Sequence, residues 1–139
     1  MRTILIAVAG MFALVSCAES ADVSLSKSCN AVMSDPDVQR DIVEANVSLE
    51  DYCACASQQI LALPDAQRDT TILALETMET LMAENNGSTE AAFRALSDAG
   101  RADDASAEAV AAYESVDELG EQLEDVLDAM REAGGVCPA

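Results

Sequence analysis

The chain contains no histidine and no tryptophan, and tyrosine and phenylalanine contribute only two residues each. Without histidine there is no side chain that ordinarily titrates near neutral pH, no Ser-His arrangement and no imidazole ligand for zinc. Nothing in the pattern sets two carboxylates across a cleft either, so a non-enzymatic protein is expected, with no cofactor. The scarcity of aromatics leaves a core of Ala, Leu, Val, Ile and Met, which suits close-packed helices. It supplies little of the aromatic lining common in pockets for drug-sized ligands. Positive charge is scarce as well: seven Lys and Arg stand against 26 Asp and Glu, for a formal net charge of −19, and Lys27 is the only lysine. Nucleic acid and anionic lipid headgroups are poor partners for such a surface. A basic protein, a cationic peptide or divalent cations are electrostatically permitted. The commonest outcome for such a charge is simply a solvated surface.

No apolar run reaches the roughly 20 residues that a membrane-spanning helix needs. The longest, Ile4 to Val15, is uncharged and follows Met1-Arg2-Thr3. A run this short behind one positive charge has the form of a secretion signal. It ends in Leu14-Val15-Ser16-Cys17, which resembles the lipobox of bacterial lipoproteins: Leu, a small or aliphatic residue, a small residue, then the cysteine. The resemblance covers the first 17 residues. It implies that residues 1–16 are a cleaved signal peptide and that Cys17 carries a diacylglyceryl thioether and an acylated amino group, palmitate being typical. Several acyl chains, at about 0.8 kcal/mol per buried methylene, anchor a protein stably to a membrane it does not span. In Gram-negative lipoproteins Asp after the cysteine favours the inner membrane, so Ala18 implies export to the outer membrane. The alternative is an ordinary secretion signal cut after Ala18, since Ser16 and Ala18 are both small.

Five cysteines are an odd set for an exported chain. Assigning Cys17 to lipid leaves Cys29, Cys53, Cys55 and Cys137, an even set suited to disulfides in an oxidising compartment such as the periplasm. Cys53 and Cys55 fall on one predicted helix, where residues two apart point about 200° away from each other. A mutual bridge would require that turn to unwind. Glu50 and Asp51 nearby also disfavour the thiolate that an exchange pair needs. Two structural disulfides are therefore expected, joining Cys53 and Cys55 to Cys29 and Cys137 in one of two orders. Cys29–Cys53 with Cys55–Cys137 is the preferred order, because Cys53 shares an apolar face with Leu49, Tyr52 and Ala56. The competing reading is a periplasmic thiol-redox or metal-handling protein that uses Cys53 and Cys55. Cys and Met together suit copper(I), but Met33, Met78, Met82 and Met130 are scattered and oxidised sulfur would not serve. The spacing of the four cysteines loosely resembles that of small cysteine-bridged helical envelope proteins, a resemblance that implies no activity.

Residues 17–25 read as a polar, lipidated tether and residues 26–139 as a single helical domain. A short helix is expected around Ser26–Ser34. Asp35-Pro36-Asp37 then starts another that runs to about Ala45. Ser48 caps the helix carrying Tyr52-Cys53-Ala54-Cys55, with Asp51 where a capping box has Glu or Gln. Pro64-Asp65 opens a longer helix with Ile72, Leu75, Met78, Leu81 and Met82 as its apolar stripe, ending near Asn85-Asn86-Gly87. Ser88 caps a short helix that stops at Gly100. The last helix extends from about Asp104 to Ala133, closed by Gly134-Gly135. The expected fold is all-α: a small bundle of about five helices with a long acidic C-terminal helix, stapled by two disulfides. The hexamers Pro36–Asp41 and Pro64–Asp69 match at five of six positions, and two similar helix starts explain this without a duplication.

The last helix presents two faces. Ala109, Ala112, Val116, Leu119, Leu123, Val126, Met130 and Ala133 follow the three-then-four spacing of a bundle or coiled-coil seam. Intramolecular core is its commoner use and dimerisation the sharper one. The opposite face carries Glu114, Asp117, Glu118, Glu121, Glu124, Asp125, Asp128 and Glu132, offset by Arg131. Pairs such as Glu114/Glu118 and Glu121/Asp125 lie four apart and mildly destabilise the helix. This face is where a basic envelope protein or divalent cations would bind. An EF-hand at Asp35–Asn46 is not expected, because Arg40 replaces the required Gly and Asn46 the closing Glu.

Overall fold

A computed structural model describes residues 21–138, and within them the chain forms six helices and no strand. The expected signal peptide, Cys17 and the start of the tether lie outside the described residues. In chain order the helices are α1 (Ala21–Val32), α2 (Pro36–Glu44), α3 (Leu49–Ala62), α4 (Asp65–Glu84), α5 (Thr89–Gly100) and α6 (Ala107–Glu132). Each of the six corresponds to a helix start read from the sequence, within the expected small all-α bundle. The main difference is at the start. Residues 21–25, read as tether, form the first turns of α1, and Leu25 is buried in the core. The polar residues around Leu25 conceal the first turns of a helix that buries Leu25, Cys29 and Val32 on one side.

Helix α3 lies at the centre, packed against α1, α2, α4 and α6. Its buried residues Tyr52, Cys53, Cys55, Ala56, Ser57 and Ile60 span an arc of about 200° at 100° per residue. That is why its sequence is apolar over more than one stripe. Ser57 is satisfied inside the core by donating its hydroxyl to the Cys53 carbonyl at 2.7 Å. The Tyr52 hydroxyl donates to the Leu123 carbonyl at 2.8 Å, tying α3 to α6. Burial raises the Tyr52 phenol above its ordinary range, so it stays a donor.

The helix ends are set locally. The Ser48, Ser88 and Ser106 hydroxyls accept the backbone N–H of Asp51, Ala91 and Ala109. The last of these starts α6 at Ala107, three residues later than Asp104. At Ser48 the hydroxyl also donates to the Asp51 carboxylate at 2.6 Å, so Asp51 engages the cap side chain. After α6, Gly134 N–H bonds Arg131 O and Gly135 N–H bonds Met130 O. With both glycines at positive φ this is a Schellman end. The same device closes α2, with Asn46 in the left-handed position and Val47 N–H on Ile42 O.

Asp35 caps more than its own helix. One carboxylate oxygen accepts from Asp37 N–H at 2.9 Å, and the other accepts from Thr89 N–H, at the start of α5, at 2.8 Å. These bonds, Asp37 first, hold the Asp35 carboxyl below its usual value against the opposing effect of burial. Gly100 serves a different purpose, close packing. A Cβ there would lie 2.5 Å from Tyr113 Cβ and 3.0 Å from the Ala109 carbonyl, so α5 and α6 touch through the missing side chain.

Two outcomes follow. Gly100→Ala should cost about 1–3 kcal/mol by overpacking, read as a lower midpoint in urea. Asp35→Asn keeps one acceptor and loses the other, so it should cost about 1 kcal/mol at pH 7. Because the folded pKa is depressed, the wild-type contribution is present above the unfolded value near 4 and lost as pH falls through the folded one. The gap between wild type and Asp35→Asn should therefore close on acidification, measured by urea melts from pH 7 to pH 3.

Candidate functional site

The four cysteines of the domain form two disulfides, Cys29–Cys53 and Cys55–Cys137, in the preferred of the two expected orders. Their Cα atoms stand 5.6 and 5.4 Å apart, within ordinary disulfide reach. On α3, Cys53 turns toward α1 and Cys55 turns away, toward the segment after α6. Cys53 is 0% and Cys55 1% exposed, and neither is bonded to the other. An exchange reaction needs a thiolate and a path to it; both sulfurs here are bonded and covered. Cys137 is brought into place by the turn at Gly134-Gly135 and by Gln59, whose amide donates to the Pro138 carbonyl at 3.3 Å. Cys17 lies outside the described residues.

Helix α6 keeps its two faces. Val116, Leu119, Leu123 and Met130 are buried against the rest of the bundle, with Ala109, Ala112 and Val126 half-buried. The intramolecular use of the seam accounts for them. The seam ends at Met130, since Ala133 is exposed, and it includes Tyr113, which the three-then-four spacing misses. Tyr113 packs on Phe93 with ring centroids 5.9 Å apart and carries the Arg101 guanidinium 4.8 Å from its ring centre. The acidic residues named on the opposite face are all exposed. Arg131 is held by Asp128, one turn back. Among the described residues no three Cys, Asp or Glu side chains converge in a way that would hold a metal ion.

Clefts flank α6 on more than one side. The first, about 200 Å³, lies between α3 and α6 over Ile60, Leu63 and Val126. Its polar rim is occupied internally: Gln67 and Gln122 donate to Glu118 at 3.4 and 3.3 Å, and Thr71 donates to Gln122 at 3.3 Å. The second, about 420 Å³, lies between α2 and α6. Val38, Ile42, Leu123 and Leu127 form its floor, Asp41, Glu124 and Asp128 its acidic rim, and Gly120 one end. On α6 the lining residues fall at 120, 123, 124, 127, 128 and 131, a single helical stripe beside the core seam. Sequence reasoning missed this cleft because it depends on where α2 settles. The available signal was Gly120, an unexplained glycine inside a helix. No helix among the described residues is long and apolar enough to cross a membrane.

The comparisons return nothing. No family model, curated protein or solved structure matches the chain. Its function must be argued from its own residues.

The loops closed by the two disulfides differ in length, 24 residues for Cys29–Cys53 and 82 for Cys55–Cys137. In the chain-entropy account these are worth about 3 and about 4.5 kcal/mol. Replacing Cys55 and Cys137 together by Ser should therefore lower stability more than replacing Cys29 and Cys53, read as the order of urea midpoints. Proteolysis without reductant should release peptides cross-linked in this pairing.

Proposed function

We propose that this protein is a non-enzymatic lipoprotein of the bacterial envelope, held by lipid on Cys17, whose helical domain binds another protein. The cysteine count carries the reading. Of five cysteines, four are consumed in two disulfides, and the one left over falls at the end of Leu14-Val15-Ser16-Cys17. A lone exported cysteine needs a fate, and a thioether supplies it. Two disulfides also suit an oxidising compartment rather than a reducing cytosol. Ala18 after the cysteine favours the outer membrane by resemblance to exported lipoproteins. A protein-binding role fits a surface with acidic rims beside open apolar clefts better than catalysis does, because the chain lacks histidine and the α3 cysteines are bonded and covered.

Mass spectrometry of the mature N-terminus tests the anchor. The expected product begins at Cys17 with a diacylglyceryl group, and Cys17→Ser should abolish both that modification and the cut before residue 17. An unmodified N-terminus at Glu19 would instead mark an ordinary secretion signal and overturn the reading.

A further inference from the structure

Glycine inside a helix weakens it relative to alanine, and the fold tolerates that where packing demands it, as at Gly100. At Gly120 packing demands nothing: a Cβ there would meet no atom within 4 Å. Gly120 opens instead onto the cleft between α2 and α6. From Gly120 to Arg131 the cleft follows α6 for about 16 Å, some three helical turns. Its floor is apolar, and three carboxylates, Asp41, Glu124 and Asp128, stand on its rim against the single guanidinium of Arg131, itself engaged by Asp128.

We propose that the α2–α6 cleft docks an amphipathic helix of another protein bearing lysine and arginine, its backbone crossing α6 at Gly120. This rests on the protein-binding role argued above and names its site and partner chemistry. A helix in a groove places side chains at i, i+3, i+4 and i+7 on an apolar floor, which matches the stripe lining the cleft. How closely two helices approach depends on the side chains between them, and the absence of one at Gly120 brings the backbones together. Lysine and arginine stems lie along apolar surface while their charged ends reach carboxylates, so the acidic rim selects a basic helix and steers its approach. A second copy of this chain would bring the same excess of acid, with a formal net charge of −19, and anionic lipid would be repelled likewise.

The test uses the purified full-length chain and three labelled synthetic peptides of about 18 residues, a length long enough for helix. One is a Leu/Lys helix with leucines at i, i+3, i+4 and i+7; one has the same composition with the leucines scattered; one replaces Lys by Glu. Anisotropy at about 0.15 M salt should show the first binding at least about tenfold more tightly than the second, and the third not binding. Amide shifts should move along Val38–Ile42 and Gly120–Asp128. Gly120→Leu, whose side chain enters open space, should keep or raise the melting temperature yet weaken the first peptide about tenfold. Equal binding of the scattered peptide would reduce the effect to net charge and overturn the proposal, as would undiminished binding by Gly120→Leu. Shifts confined to another surface would overturn this site while leaving a protein-binding role standing. No binding at all would overturn the proposal and leave the Cys17 anchor, read independently by mass spectrometry, untouched.

Discussion

Two cysteines separated by one residue on an α-helix point in opposing directions, and the arrangement around α3 depends on that geometry. Cys53 must find its partner on one side and Cys55 on the other, so α3 has covalent neighbours across its width. A helix held this way belongs in the middle of a bundle, and its buried arc of about 200° matches that position. Tyr52 adds a third attachment, to the backbone of α6. The outer helices then assemble on a fixed spine.

The same spine explains how the chain tolerates its charge. An excess of carboxylates on one helix face opposes both helix formation and compaction. A core lacking tryptophan, with few rings of any kind, has modest means to resist. Disulfides compensate by limiting the unfolded chain, and caps such as Asp35 turn negative charge to use by placing it at helix starts. Acidity here is mostly surface, with Asp35 the buried exception.

What was legible in the sequence was local or combinatorial. The Ser48 and Ser88 caps, the Asn-Gly and Gly-Gly stops and the opposed directions of Cys53 and Cys55 are properties of a few adjacent residues, and each stands where the spacing put it. The disulfide order was only a preference between two, since Cys53 and Cys55 both lie on the buried arc of α3. The misses were tertiary. The start of α1 mixes polar and apolar residues, with Val23 exposed and Leu25 buried, and only its neighbours show that Leu25 is core. Tyr113 falls outside a strict heptad frame, because an α-helix drifts against a seven-residue repeat and Gly100 leaves room for the ring. Asp35 reaches Thr89 across 54 residues, and the cleft at Gly120 exists only once α2 is set against α6. The proposal of a lipid anchor rests on residues 1–17, which the described fold does not include.

The order of the two bridges has a mechanical meaning. Follow a pull applied to the N-terminal segment and resisted at the C-terminus. Tension enters along α1 to Cys29, crosses to Cys53, travels through Ala54 to Cys55, and leaves through Cys137. Everything between Cys29 and Cys53, and everything between Cys55 and Cys137, hangs on this line as closed loops that carry none of the load once the line is taut. Helices α2, α4, α5 and α6 are shielded by covalent bonds from any force along the chain. A protease cut in any of their connections would open a loop without detaching a fragment from the line.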